Sequence, residues 1–267
     1  MSTAHRLTLL TRLGFAARGL LYITIAFLVI AAERAADPAA ALAYLGHGFG
    51  RLLLIVMAAG FAAYGLWRTT DGLLNLEQHT HDRRGIGQRI GAVGSGLVHL
   101  LLASQAVRLA VHTGKVDPLT GAQGGAATAL SLPGGALMLL AAGLVLLGAG
   151  AAQLGTAATC RFCDDLDTSV AERGWVRWTG RIGYAARGVV FIISGFFLVS
   201  AGWETRASEA GGVEEALAWL DSPWDTIVGT GLLMFGLFSF IEARFRTIHE
   251  VPVGEAVEKV RDTLQPG

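Results

Sequence analysis

Apolar residues along this chain gather into six runs, each close to the roughly 20 helical residues that cross the hydrocarbon core of a bilayer. The runs cover residues 13–32, 52–70, 90–111, 134–155, 182–203 and 224–241, and most charged residues collect in the connections. This pattern predicts an all-α membrane protein with six transmembrane helices. The first and fifth runs are free of charge only from Gly19 and Gly188 onward, so each carries an arginine inside the headgroup boundary, where a long side chain can snorkel to water.

His5, Arg6 and Arg12 ahead of the first run, with small residues near Ala31, also fit a cleaved signal peptide. A repeat argues against that. RLGFAARG at 12–19 returns as RIGYAARG at 181–188, deep inside the chain where a signal peptidase reading does not apply, so the first run is a retained helix. A worn third copy, RIGAVGSG at 89–96, keeps Arg89, Ile90, Gly91 and Gly96 but has Ser95 where the others have Arg18 and Arg187. Each octapeptide opens the first helix of a pair. Behind them lie Gly60-x4-Gly65, Gly143-x4-Gly148 and Gly231-x4-Gly236, marking the second helices.

The unit is therefore a helix pair of about 80 to 90 residues, repeated three times. We divide the chain into repeat 1 (1–78), repeat 2 (79–160), repeat 3 (161–248) and a tail (249–267). Each repeat enters and leaves on one side, so the repeats are parallel and related by an axis along the membrane normal. A pseudo-threefold six-helix bundle follows, with glycine rows where helix backbones approach. LAYL (42–45) and LAWL (217–220) read as short interfacial helices with Tyr44, Trp219 and Trp224 at headgroup level. The glycines between 121 and 125 read as a flexible external connection. In the tail, Val253, Val257, Val260 and Leu264 share one helical face, which fits either an amphipathic surface helix or a frayed end.

Composition agrees with the pattern: 52% of residues are hydrophobic, 16% are charged and mean hydropathy is +0.50. Net charge is zero, so no global field argues for nucleic acid; the lipid bilayer is the implied partner, and a membrane protein partner is a second. Where the charges fall sets orientation. The segment up to Arg18, the 68–89 and 161–187 connections and the tail from Arg244 hold sixteen of the twenty-one Lys and Arg residues. Both termini are therefore expected in the cytoplasm, with the protein multi-pass in the inner (cytoplasmic) membrane.

Superposing the repeats on their paired glycines sets Asp71 on Glu242, with Leu154 at the matching place in the middle repeat. The acid is missing from the same repeat that lacks the arginine. This predicts two pairs, Arg18 with Asp71 and Arg187 with Glu242, with Ser95 and Leu154 as their joint replacement. Two readings stand: clamps joining the helices of a unit, or an anion or lipid-headgroup site at the cytoplasmic mouth. His99, one turn from Ser95 and matched by Tyr22 and Phe191, either fills an aromatic-sized packing position or, with Ser95, lines a proton or solute path.

Cys160 and Cys163 form a CxxC just past the fourth run. With His79 and His81 of another connection they supply the donor types of a zinc site, though nothing in the sequence brings the halves together; a redox dithiol and two inert thiols are the alternatives. No metal or other cofactor is expected. The chain has no Walker loop, HExxH, nucleophile elbow or inward carboxylate pair, which points away from an enzyme.

The triplicated pair, with RxGFAARG or RxGYAARG entering the first helices and GLxxxG followed by an acid and arginines at 231–244, resembles the bacterial membrane family known as domain of unknown function 1206. The resemblance spans about residues 8–248 and implies a bacterial cytoplasmic-membrane protein of three two-helix modules, with no activity to carry over. Three functions remain open at this point. They are a non-catalytic scaffold or accessory module, a small-solute, ion or proton transporter or channel along the pseudo-threefold axis, and a membrane redox or metal protein using Cys160 and Cys163.

Overall fold

A computed structural model of the chain describes residues 3–31, 35, 38–44, 50–75, 82–111 and 121–247. His79, His81 and the tail from residue 249 lie outside the described residues. Among the described residues, ten α-helices run in the order α1 (Thr3–Ala31), α2 (Pro38–Tyr44), α3 (Gly50–Leu74), α4 (Arg83–Val111), α5 (Ala122–Leu130), α6 (Gly135–Thr159), α7 (Thr168–Ala171), α8 (Gly174–Glu204), α9 (Val213–Trp219) and α10 (Trp224–Phe245). Among the described residues there is no strand, only an isolated bridge between Leu166 and Arg246.

Six helices are long and apolar enough to cross a membrane, and they are the six expected. α2 carries Leu42 to Tyr44 of the first short stretch and α9 carries Leu217 to Trp219 of the second. The glycine-containing stretch after residue 121 corrects the expectation of a flexible connection: it forms α5, which packs on α6 and stands between two long helices as α2 and α9 do. Two glycines in α5 lower helix propensity, but the alanines beside them restore it and Ala126 is buried, so packing outweighs composition.

Packing between the long helices crosses the repeat boundaries. The most extensive interfaces are α6 on α8, α3 on α4 and α1 on α10, each uniting the second helix of one repeat with the first helix of the next around the ring. α1 on α3 and α8 on α10 are lesser contacts within repeats 1 and 3, whereas α4 and α6 share no comparable interface. The six helices thus follow one another as α4, α3, α1, α10, α8, α6, and the arrangement opens within the middle repeat.

Glycine explains why these interfaces recur. A Cβ on Gly19 would lie 2.8 Å from the carbonyl oxygen of Gly236, and one on Gly236 would lie 2.8 Å from that of Gly19. Gly65 and Gly96 do the same at 2.9 and 2.8 Å, and Gly150 and Gly188 at 2.9 and 3.0 Å. Lipid supplies no hydrophobic drive for helix association, so van der Waals contact at backbone distance replaces it, and any side chain would prise the pair apart.

These contacts correct the register taken from sequence. Gly150 is the middle-repeat partner, while Gly148 has nothing within 4 Å, so α6 aligns with α3 and α10 two residues later than the glycine spacing implied. The first arginine of the octapeptide agrees: Arg89 Nε donates to the Gly72 carbonyl at 3.0 Å and Nη2 to that of Leu73 at 2.9 Å, while Arg181 makes the same bonds to Ala157 and Ala158 at 3.1 and 2.7 Å. Each thereby caps the orphan carbonyls of its neighbour's last turn, where a cation is favoured. With this register the residue matching Asp71 and Glu242 is Thr156, not Leu154.

Candidate functional site

The densest charge cluster gathers where α10 ends against α1. Arg18 projects from α1 toward α10, its Nε donating to Ser239 Oγ at 3.0 Å and its Nη2 bonding Glu242 Oε2. Glu242 is 1% exposed, and its other oxygen accepts from Arg246 Nη1 at 3.0 Å. Arg246 reaches on to Asp165 at 2.9 Å, where Thr247 also donates to the Asp165 carbonyl, so the connection after α6 is strapped to the end of α10. The guanidinium of Arg18 lies 4.7 Å from the Phe15 ring centroid and 4.9 Å from that of Phe235. Rings and carboxylate together replace the water this cation has left.

The two pairs expected from sequence are not formed. Arg18 binds Glu242 of repeat 3 instead of Asp71, because α1 packs most closely on α10. Asp71, fully buried, accepts from Arg68 one turn earlier on its own helix at 3.0 Å. Arg187 donates from Nε to the Tyr22 hydroxyl at 2.9 Å and lies over the rings of Phe191 (4.5 Å), Phe235 (5.0 Å) and Tyr22 (5.8 Å). Nor were arginine and acid given up as a joint unit. The helix lacking the arginine, α4, packs on the one carrying Asp71, and the helix lacking the acid, α6, packs on the one carrying Arg187.

His99 takes the packing position that Tyr22 and Phe191 take in the other repeats. It is buried, its Nδ1 bonds the Ser95 carbonyl at 2.7 Å, and its ring lies 4.6 Å from Tyr64 and 6.0 Å from Phe61. The Ser95 backbone, rather than its hydroxyl, is what His99 meets.

The CxxC is a loop anchor. Cys160 stops α6 in a left-handed conformation, φ 56°, and the chain turns so that Phe162 plunges between α8 and α10. There it stacks on Tyr184 at 5.3 Å, meets Phe238 edge-on at 4.8 Å and occupies the space that any side chain at Gly180 would need. Burial, with Cys160 beside it, pushes the Cys163 thiol up to about 11. Both cysteines are free, and among the described residues no three His, Cys, Asp or Glu side chains gather as a metal site. Sequence reading noticed the cysteines and passed over the phenylalanine between them. It also passed over Arg246, although its position four residues after Glu242 on the same face was a visible signal.

Six spanning-length helices in three tandem units, with charges buried between them, define a multi-pass helical membrane protein. The chain belongs to the family described as Domain of Unknown Function (DUF1206), whose model matches residues 13–75, 90–159 and 182–246. It is 29% identical over 248 residues to "Uncharacterized protein YxxB" of Bacillus subtilis (strain 168), an alignment that takes in 88% of this chain and 90% of that protein. No solved structure matches it.

Proposed function

We propose that this protein is a non-catalytic scaffold or accessory module of a bacterial cytoplasmic membrane, with both termini in the cytoplasm. One observation carries the reading: four arginines of the long helices each hydrogen-bond a neighbouring helix. Arg18 goes to Ser239 and Glu242, Arg89 and Arg181 to helix-terminal carbonyls, and Arg187 to Tyr22. The orientation draws on the bonds from Arg246 and Thr247 to Asp165, which hold the arginine-rich 161–187 connection on the same side as the Arg244 and Arg246 end of α10.

A transport path is the second reading, favoured by His99, an ionisable side chain buried within the α4 span. Reconstitution decides between the two. Protein-loaded liposomes held at a pH or chloride gradient should leak no faster than empty ones. A flux that His99→Phe abolishes would replace the scaffold with a channel. Fluorescent-protein and alkaline-phosphatase fusions after residue 247 test the orientation, which fails if only the phosphatase fusion is active.

A further inference from the structure

The interface between repeats occurs three times, but its charges do not. Where α10 meets α1, arginine faces acid. Where α3 meets α4, Asp71 stands opposite the Ser95 position and takes Arg68 from its own helix. Where α6 meets α8, Arg187 turns instead to Tyr22 of α1 and Phe235 of α10, and among the described residues no carboxylate pairs with it. A guanidinium at this depth without a counter-ion is unfavourable.

The surroundings of Arg187 are rich in donors and poor in acceptors. Its single hydrogen bond leaves both Nη groups unused, and the Tyr22 hydroxyl that accepts from Nε keeps its own proton to donate. Phe191 and Phe235 lie 4.5 and 5.0 Å from the guanidinium, and Arg18 lies 4.9 Å from the same Phe235 ring, adding a second positive field whose carboxylate is shared with Arg246. A fixed planar fork with spare N–H groups beside a hydroxyl donor matches the geometry of a phosphoryl group.

We infer that Arg187 and Tyr22 bind a phosphate group, supplied either by a free anion or by the headgroup of an anionic lipid. The anion supplies Arg187 with the counter-charge that Glu242 gives Arg18. The site goes beyond the scaffold reading and does not depend on it, since it is tested by equilibrium binding and not by flux.

The test uses the full chain, purified and delipidated in a neutral detergent, titrated with inorganic phosphate, and in parallel exchanged into vesicles of phosphatidylglycerol or phosphatidylcholine before native mass spectrometry. Saturable phosphate binding in detergent supports the free anion. Retention of phosphatidylglycerol but not phosphatidylcholine, without phosphate binding, supports the headgroup. Arg187→Gln should weaken whichever is seen by about tenfold or more, and Arg187→Lys should restore part of it. Arg206→Gln, in the connection after α8, should change nothing. Wild-type protein that binds neither phosphate nor anionic lipid overturns the inference, as does unchanged binding in Arg187→Gln. If that variant fails to fold, Tyr22→Phe replaces it: this keeps the ring against Phe235 and removes the hydroxyl, so unchanged affinity there also overturns the inference.

Discussion

Glu242→Gln tests the central ion pair and the helix pairing together. The native carboxylate is 1% exposed and serves Arg18 and Arg246, whose side chains are 11% and 28% exposed. Neutralising it leaves two guanidiniums without their shared counter-charge. Breaking a buried pair costs about 3–5 kcal/mol. Arg246 keeps Asp165 at 2.9 Å and the amide still offers one acceptor oxygen, which sets the expectation at the lower end, about 3 kcal/mol. The sharper quantity is the coupling in a double-mutant cycle of Arg18→Gln with Glu242→Gln, expected at about 1–3 kcal/mol. The same cycle between Arg18→Gln and Asp71→Asn should be additive within about 0.5 kcal/mol, because Asp71 accepts from Arg68. Unfolding by SDS from mild detergent micelles, followed through the six tryptophans, measures both cycles. Additivity between Arg18 and Glu242, or strong coupling between Arg18 and Asp71, would refute the pairing of α1 with α10.

Gly96→Ala should destabilise by about 1–3 kcal/mol, since its Cβ would sit 2.6 Å from the Thr69 backbone nitrogen and 2.8 Å from the Gly65 carbonyl. Gly94→Ala, with open space around it, should be neutral or gain up to about 1 kcal/mol of helix propensity; the reverse order in the same unfolding assay would contradict the α3–α4 interface. Phe162→Ala should cost about 3–5 kcal/mol and speed hydrogen exchange across 161–167, and intact protection there would show that the loop is held some other way. Iodoacetamide labelling of Cys163, read by peptide mass spectrometry, should stay slow through pH 9 and climb toward pH 11. Because the fold raises this thiol's pKa, the stability it contributes is present below about pH 9 and lost as pH approaches 11; a labelling plateau already reached at pH 9 is incompatible with the buried thiol.

The six spans, the octapeptide repeat and the two LAYL-like helices were legible because each rests on local signals: run length, identity of residues and aromatic placement. Partner choice was not. Tandem order favours reading each unit as a self-contained hairpin, but the Gly19–Gly236, Gly65–Gly96 and Gly150–Gly188 contacts join neighbouring units, and a glycine row announces a contact face without naming its partner. The same limit shifted the middle register, since Gly143-x4-Gly148 matched the other repeats in spacing while Gly150 makes the contact. The charged residues themselves were found, and their pairing went wrong as a direct result of the helix pairing. Phe162 was missed because a single aromatic in a polar connection carries no periodicity, and only the groove between α8 and α10 gives it a purpose.

The closing contact of α10 on α1 also sets a timetable for biogenesis. Arg18 and Glu242 are 224 residues apart, so at translation rates of about 5–20 residues per second the first span waits on the order of 10–50 s for its carboxylate. Throughout that interval the growing protein holds an uncompensated cation in the membrane and an α1 surface with no helix against it. The nascent five-span chain, not the finished bundle, is therefore the form most exposed to membrane proteases and most in need of an insertase or lipid phosphate to shelter it. A chain cut before Trp224 would remain in that condition indefinitely.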